Sequence, residues 1–338
     1  MKYILLLALG LSITLGSCQK FLEEIPTTSL TDQSTITSYA GGVALATGAY
    51  RSLPNWTNGA QWWGGNLANA MEYATGKAFS QYQAADLYKY ENGSETGDSE
   101  YFIAPWNNWY QGVRDCNLAI QMIPNVSGFS AADKLKYLGE VRTLRAFYYF
   151  CLVRHYGDVI YNTAILTDIT QAAKPRVSLK TIYDKIILPD LEFAVNESGL
   201  PSGQSTDGRV TLDVARVILA DVYMNMAGYP YQEVNTSSDT TKCLKGNWTM
   251  TGYPVVNASA RALLTSAQTQ LNALWGQYPL GESSDLRTPE MNNKGGFIWK
   301  VQSLSGTYNN GIVHTILPLA NQLSQHYENE TGMPCVLS

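Results

Sequence analysis

The stretch that most constrains this chain runs from Glu140 to Asp158, EVRTLRAFYYFCLVRHYGD. Leu138, Val141, Leu144 and Tyr148 recur three or four apart, the period of an amphipathic helix. From Ala146 to Val153 no residue carries a charge. A helix that is apolar on every side cannot face water, so this one belongs at the centre of the fold, with neighbours packed around it. Ser130, with Asp133 three residues on, offers the N-terminal cap, and Gly157 offers the stop. Nothing in the helix suggests catalysis.

The order Glu140-x-Arg142-x-Leu144-Arg145-Ala146, followed by Tyr148-Tyr149-Phe150 and Tyr156-Gly157-Asp158-Val159, resembles the signature helix of the RagB/SusD family. These are outer-membrane nutrient-binding lipoproteins of Bacteroidetes. Family members usually continue with proline after the Asp-Val pair, where Ile160 and Tyr161 stand here. The resemblance covers nearly all of residues 15–330. It implies an all-α-dominated fold: tetratricopeptide-like helix pairs forming a SusD-like α superhelix, with long binding loops and little β structure. It also implies that the chain captures glycan at the cell surface without cleaving it and delivers it to a SusC-like TonB-dependent transporter. Peptide is the alternative cargo within the family. Members typically run past this length with a further helix pair, so the final helices of the pattern are expected to be missing, which would bare an apolar helix face.

The N-terminus reads as an export segment. Lys2 precedes an apolar run from Tyr3 to Leu15, then Gly16 and Ser17. That run is shorter than the ~20 apolar residues a membrane span needs. Leu15-Gly16-Ser17-Cys18 resembles a bacterial lipobox, in which small residues let the peptidase reach the bond before a cysteine that is then acylated. Residues 1–17 are thus expected to be a lipoprotein signal peptide and residues 18–338 one helical domain. Cys18 would anchor the domain to outer-membrane lipid, because several acyl chains hold where one does not.

Apolar periodicity predicts helices over Ile36–Leu53, Trp106–Ile123 and Leu179–Asn196, the last interrupted by Pro189. Two more are predicted over Leu212–Ala227 and Ala258–Leu274, the latter with Ala260, Leu263, Leu264, Ala267, Leu271 and Leu274 on one side. Phe297, Trp299 and Val301 alternate as in a strand or an extended wall. Between these lie two stretches without helical period, Asn55–Pro105 and Gly228–Val256. A segment of about fifty residues such as the first is usually functional in a compact protein; the second is a turn-rich insert carrying Tyr229, Tyr231, Trp248 and Tyr253.

The chain holds 22 Tyr and 8 Trp but has only 15% charged residues and a net charge of −5. It has no basic block, which argues against nucleic acid as a partner. A ring with a flat apolar face and a polar edge suits sugars or extended peptides, and it also suits a helical core. The ligand-binding candidates are therefore the loop aromatics Trp62, Trp63, Tyr82 and Trp248, with Asn66 as a polar partner. The same Trp62-Trp63 pair could instead anchor its loop to the helices.

Signs of chemistry are few. His155, His314 and His326 are scattered, and no zinc, phosphate-loop or nucleophile-elbow motif occurs. His155 reads as a packed histidine at a helix end. Cys116 and Cys151 fall on apolar helix faces, and Cys243 and Cys335 lie far apart, so no metal or cofactor is expected. Glu91, Glu95, Asp98 and Glu100 cluster without calcium-loop spacing and read as a solvated loop. A surface glycoside hydrolase on the same scaffold is the competing class. It needs two carboxylates that meet only in space, and Glu72, beside the aromatic stretch, is the first suspect.

Overall fold

The computed structural model describes residues 37–53, 71, 74–75, 89–90, 92–165, 173–228, 231, 258–278 and 296–300. The helices are α1 (Tyr39–Gly48), α2 (Glu100–Met122), α3 (Ala131–Tyr156), α4 (Leu179–Ile182), α5 (Leu188–Asn196), α6 (Leu212–Met226) and α7 (Ala258–Asn272). The strands are two residues each, β1 (Val159–Ile160) and β2 (Arg176–Val177), paired antiparallel. The described part is therefore dominated by helix.

α3 is the hub. It packs along α2 on one side and along α5 on the other, and it also touches α1, α4 and α6. α5 then packs on α6, and α6 on α7, so successive helices lean on their neighbours as stacked helix pairs do. Both ends of α3 follow from local chemistry. The Ser130 hydroxyl accepts the Asp133 N–H at 3.1 Å, and the Asp133 carboxylate accepts the Ser130 N–H at 3.1 Å. Gly157 ends the helix at φ +68°, a conformation that a side chain disfavours.

The uncharged half of α3 is buried as its composition requires: Tyr148, Tyr149, Leu144 and Leu152 are fully enclosed. Gly112 lets α2 approach this closely, since a Cβ there would lie 2.6 Å from the Tyr148 ring. The Tyr148 hydroxyl reaches past it to donate to the Ala49 carbonyl at 2.7 Å, tying in the end of α1. Most described aromatics serve this core; Trp109 is also fully buried.

Four elements differ in detail from their sequence patterns; the first, α1, runs from Tyr39 only to Gly48, and residues 49–53 are turns and a bend. α2 begins at Glu100, ahead of Pro105, with Ser99 extended before it. The Phe102 and Ile103 amides bond back to the Ser99 carbonyl, so the proline sits inside an already started helix. The helical run from Leu179 to Asn196 accommodates Pro189 by a wide π-type turn over Tyr183–Ile187, which places the proline in the first turn of α5. On α7 the apolar stripe is wider than its contact: Ala260, Ala267 and Leu274 are buried, whereas Leu264 and Leu271 face outward. Leu263 packs partly against the core on the buried side.

Residues 296–300 form no strand: Gly296 lies in a turn and Ile298 in a bend, and Val301 lies outside the described residues. The Trp299 indole donates to the Gly208 carbonyl at 2.8 Å, and the Ser205 amide donates to the Ile298 carbonyl. Among the described residues, no helix is long and apolar enough to cross a membrane.

Candidate functional site

A cleft of about 500 Å³ opens between one side of α2 and the segment that leaves α3. Trp106, Tyr110, Val113 and Asn117 recur at helical spacing along α2, with Asn107, Gln111 and Arg114 beside them. Ile160, Asn162, Ala164 and Ile165 form the opposite wall. The volume falls in the ~300–1,000 Å³ range usual for small-molecule sites.

Beyond Ile160, the last residue of β1, the opposite wall is loop, and two tyrosine hydroxyls hold it in place. Tyr110 donates to the Ile160 carbonyl at 3.0 Å and accepts the Ile160 amide at 2.7 Å. Tyr149 does the same to Asn162, donating to its carbonyl and accepting its amide, both at 2.8 Å. Burial pushes both phenols above their ordinary range, so each keeps the proton that the donated bond requires.

A third tie starts deeper. The Asn117 amide donates to the Asn162 carbonyl at 3.1 Å, and its oxygen accepts from Arg145 Nη1 at 2.9 Å. Arg145 in turn grips Asp190 with two bonds, Nε to Oδ2 at 2.7 Å and Nη2 to Oδ1 at 2.8 Å. Asp190 is buried, which raises its carboxyl, and the guanidinium opposes that rise. The signature arginine therefore connects the core of α3 and α5 to the floor of the cleft through one asparagine.

Tyr149→Phe keeps the ring and removes the hydroxyl, leaving the Asn162 amide without its acceptor. We expect a loss of about 1–3 kcal/mol and faster hydrogen exchange at the Asn162 amide. Unchanged exchange there would mean that the hydroxyl does not hold the wall.

Trp106 is half-buried. It meets Tyr110 at 4.8 Å and Tyr156 edge-on at 5.1 Å, with the Arg176 guanidinium 4.9 Å from its ring centre. It is enclosed more than a bare stacking platform would be. Three basic groups stand at the cleft: Arg114 lines it, Lys174 donates to the Asn162 side-chain oxygen at 3.1 Å, and Arg176 covers Trp106. None of the lining residues is a carboxylate.

The sequence-based candidates Trp62, Trp63, Asn66, Tyr82 and Trp248 lie outside the described residues, as do Glu72 and Cys18. His155 packs at the end of α3: its Nδ1 lies 2.8 Å from the Cys151 carbonyl and its ring 4.9 Å from Trp109. Cys116 and Cys151 are buried and unbridged. In the acidic loop Asp98 accepts from Thr96, and among the described residues no group of three metal-binding side chains forms.

The apolar periodicity that marks α2 as a helix does not reveal the cleft. The visible signal was the polar series Asn107, Gln111, Arg114 on the same helix.

A family model for SusD-like proteins, described as starch-binding and associating with the outer membrane, matches residues 20–224. A SusD-like protein of Formosa agariphila is 28% identical over 236 residues, covering 70% of this chain and 43% of its own. A solved SusD superfamily protein from Parabacteroides distasonis is 29% identical with a TM-score of 0.67, covering 82% of this chain and 54% of its own. A surface glycan-binding protein from Bacteroides thetaiotaomicron, solved in complex with laminarihexaose, shares the fold at 17% identity and a TM-score of 0.56. It covers 76% of this chain and 48% of its own. This chain thus spans about half the length of these relatives.

Proposed function

Because the chain belongs to the SusD-like family, we propose that it is a cell-surface glycan-binding lipoprotein. It captures an oligo- or polysaccharide and hands it to a SusC-like TonB-dependent transporter, without catalysis. The observation that carries this reading is the family match over most of the helical frame, from residue 20 to residue 224. A relative of the same fold bound to laminarihexaose supports glycan as the class of cargo. The lipobox-like sequence ending at Cys18 supports a lipid anchor at the outer membrane.

The mechanism follows from the side chains available. Sugar rings stack on tryptophan and tyrosine faces, and amides bond to hydroxyls, each platform contributing on the order of 1 kcal/mol. Trp62, Trp63, Tyr82 and Trp248, with Asn66, are the proposed contacts. Single-site affinity would be modest, and a polymer engaging more than one site would compensate through effective concentration.

The test is retention of the purified chain in native gels containing soluble polysaccharides, with single alanine variants at Trp62, Trp63 and Trp248. We expect retention by at least one glycan, with weakening of about five- to tenfold for one or more variants, equivalent to ~1–1.4 kcal/mol. Retention unchanged in all three variants discards these contacts. Release of new reducing ends during the same incubation would instead support a hydrolase.

A further inference from the structure

We infer that the cleft between α2 and the segment following α3 is a binding site for an acidic sugar unit, with Arg114 as the group that meets its carboxylate or sulfate. This rests on the glycan-binding reading and goes beyond it by naming a subsite and its ligand chemistry.

The charge distribution carries the argument. The whole chain is acidic, at net −5. Yet the residues lining this cleft include no carboxylate and one arginine, and two further cations, Lys174 and Arg176, are bonded or stacked onto lining residues. The two nearby aspartates are turned to other work. Asp158 accepts the Leu179 amide at 2.9 Å. Asp115 lies between Arg114 and Arg51, 2.9 Å from one guanidinium and 3.0 Å from the other.

Arg114 is free to change partner. Its side chain is 60% exposed, whereas Asp115 is 14% exposed and accepts both Nε and Nη2 of Arg114 on one oxygen, so a ligand must offer the guanidinium a fork of its own in exchange. If Arg114 swings to a ligand, Asp115 keeps Arg51. A guanidinium fork matches a planar carboxylate or a sulfate with two parallel bonds, which a neutral hydroxyl cannot replicate. Asn107 and Gln111 flank it on the same helix face with amides suited to ring hydroxyls. The wall opposite is pre-set by the Tyr110 and Tyr149 hydroxyls, so binding need not order it.

The experiment is titration calorimetry on the purified full chain with three tetrasaccharides: an oligogalacturonate, a sulfated carrageenan fragment and a neutral cello-oligosaccharide. At low salt we expect at least one acidic tetramer to bind roughly tenfold or more tightly than the neutral one, the scale of a charge-assisted bond. Which acidic arm wins identifies the anion. Arg114→Gln should erase that preference and Lys174→Gln should reduce it, while both variants keep the parent's melting temperature. Equal binding of acidic and neutral tetramers, or a preference that survives Arg114→Gln, overturns the subsite and leaves the glycan-capture reading standing. Failure of all three tetramers to bind overturns the subsite, while retention of a polysaccharide in the native gels would still uphold glycan capture.

Discussion

Arg145→Met is expected to cost about 3–5 kcal/mol, the usual loss when one partner of a buried ion pair is removed. Asp190 is 3% exposed, and Arg145 gives it both of its short bonds. The next cation, Arg142, is 4.0 Å away and 30% exposed, so it replaces only part of what is lost. The same change takes the donor from the Asn117 oxygen, whose amide holds the cleft wall at Asn162. Urea unfolding followed by circular dichroism reads the effect as a lower midpoint at unchanged slope. The double variant Arg145→Met with Asp190→Leu should regain most of the loss, because it removes the stranded charge and replaces the pair with apolar groups. A double variant as unstable as the single one would show that the arginine acts through packing and not through its charge.

That pair also shows where sequence reasoning reached and where it stopped. The burial of α3 was legible because an eight-residue uncharged run has no other stable placement, and its caps were legible because Ser130, Asp133 and Gly157 act within one turn of the chain. The partner of Arg145 was not legible. Asp190 lies 45 residues away and meets it only through the packing of α5 on α3. The same holds for Tyr110 and Tyr149, whose hydroxyls bond the backbone of Ile160 and Asn162, 50 and 13 residues away.

The start of α2 was hidden for a different reason. Pro105 reads as a helix breaker, and only the bonds to the Ser99 carbonyl show that the helix is already under way by then. On α7, periodicity identified the apolar side but not how much of it a neighbour covers. Leu264 and Leu271 therefore read the same as the buried Ala260 and Ala267. Pattern reports what a face can bury. Contact depends on which element arrives.

Arg209→Met is expected to destabilise the protein by about 3 kcal/mol at pH 8, by stranding a second buried carboxylate. Glu140 is fully buried on α3; its Oε2 lies 2.7 Å from Arg209 Nη2 and accepts the Tyr50 hydroxyl at 2.8 Å. Tyr50 in turn accepts the Val210 amide, so the pair ties α1 and the loop before α6 to the central helix. Burial already holds the Glu140 carboxyl above its ordinary value, against the pull of Arg209. With the guanidinium gone the carboxyl rises further.

A carboxyl whose pKa is raised by folding keeps its proton in the folded state after the unfolded chain has released it. Its contribution is therefore fully present below the unfolded value of ~4.3 and is lost as pH climbs through the folded value. The deficit of the variant relative to the parent should accordingly be small near pH 4.5, widen as pH rises, and level off once Glu140 is ionised in both proteins. Adding Glu140→Gln to Arg209→Met should flatten that dependence. Urea midpoints from pH 4.5 to 8 measure it, and a deficit independent of pH would mean that Arg209 contributes through its contacts with the Tyr50 and Tyr137 rings and not through the charge it sets against Glu140.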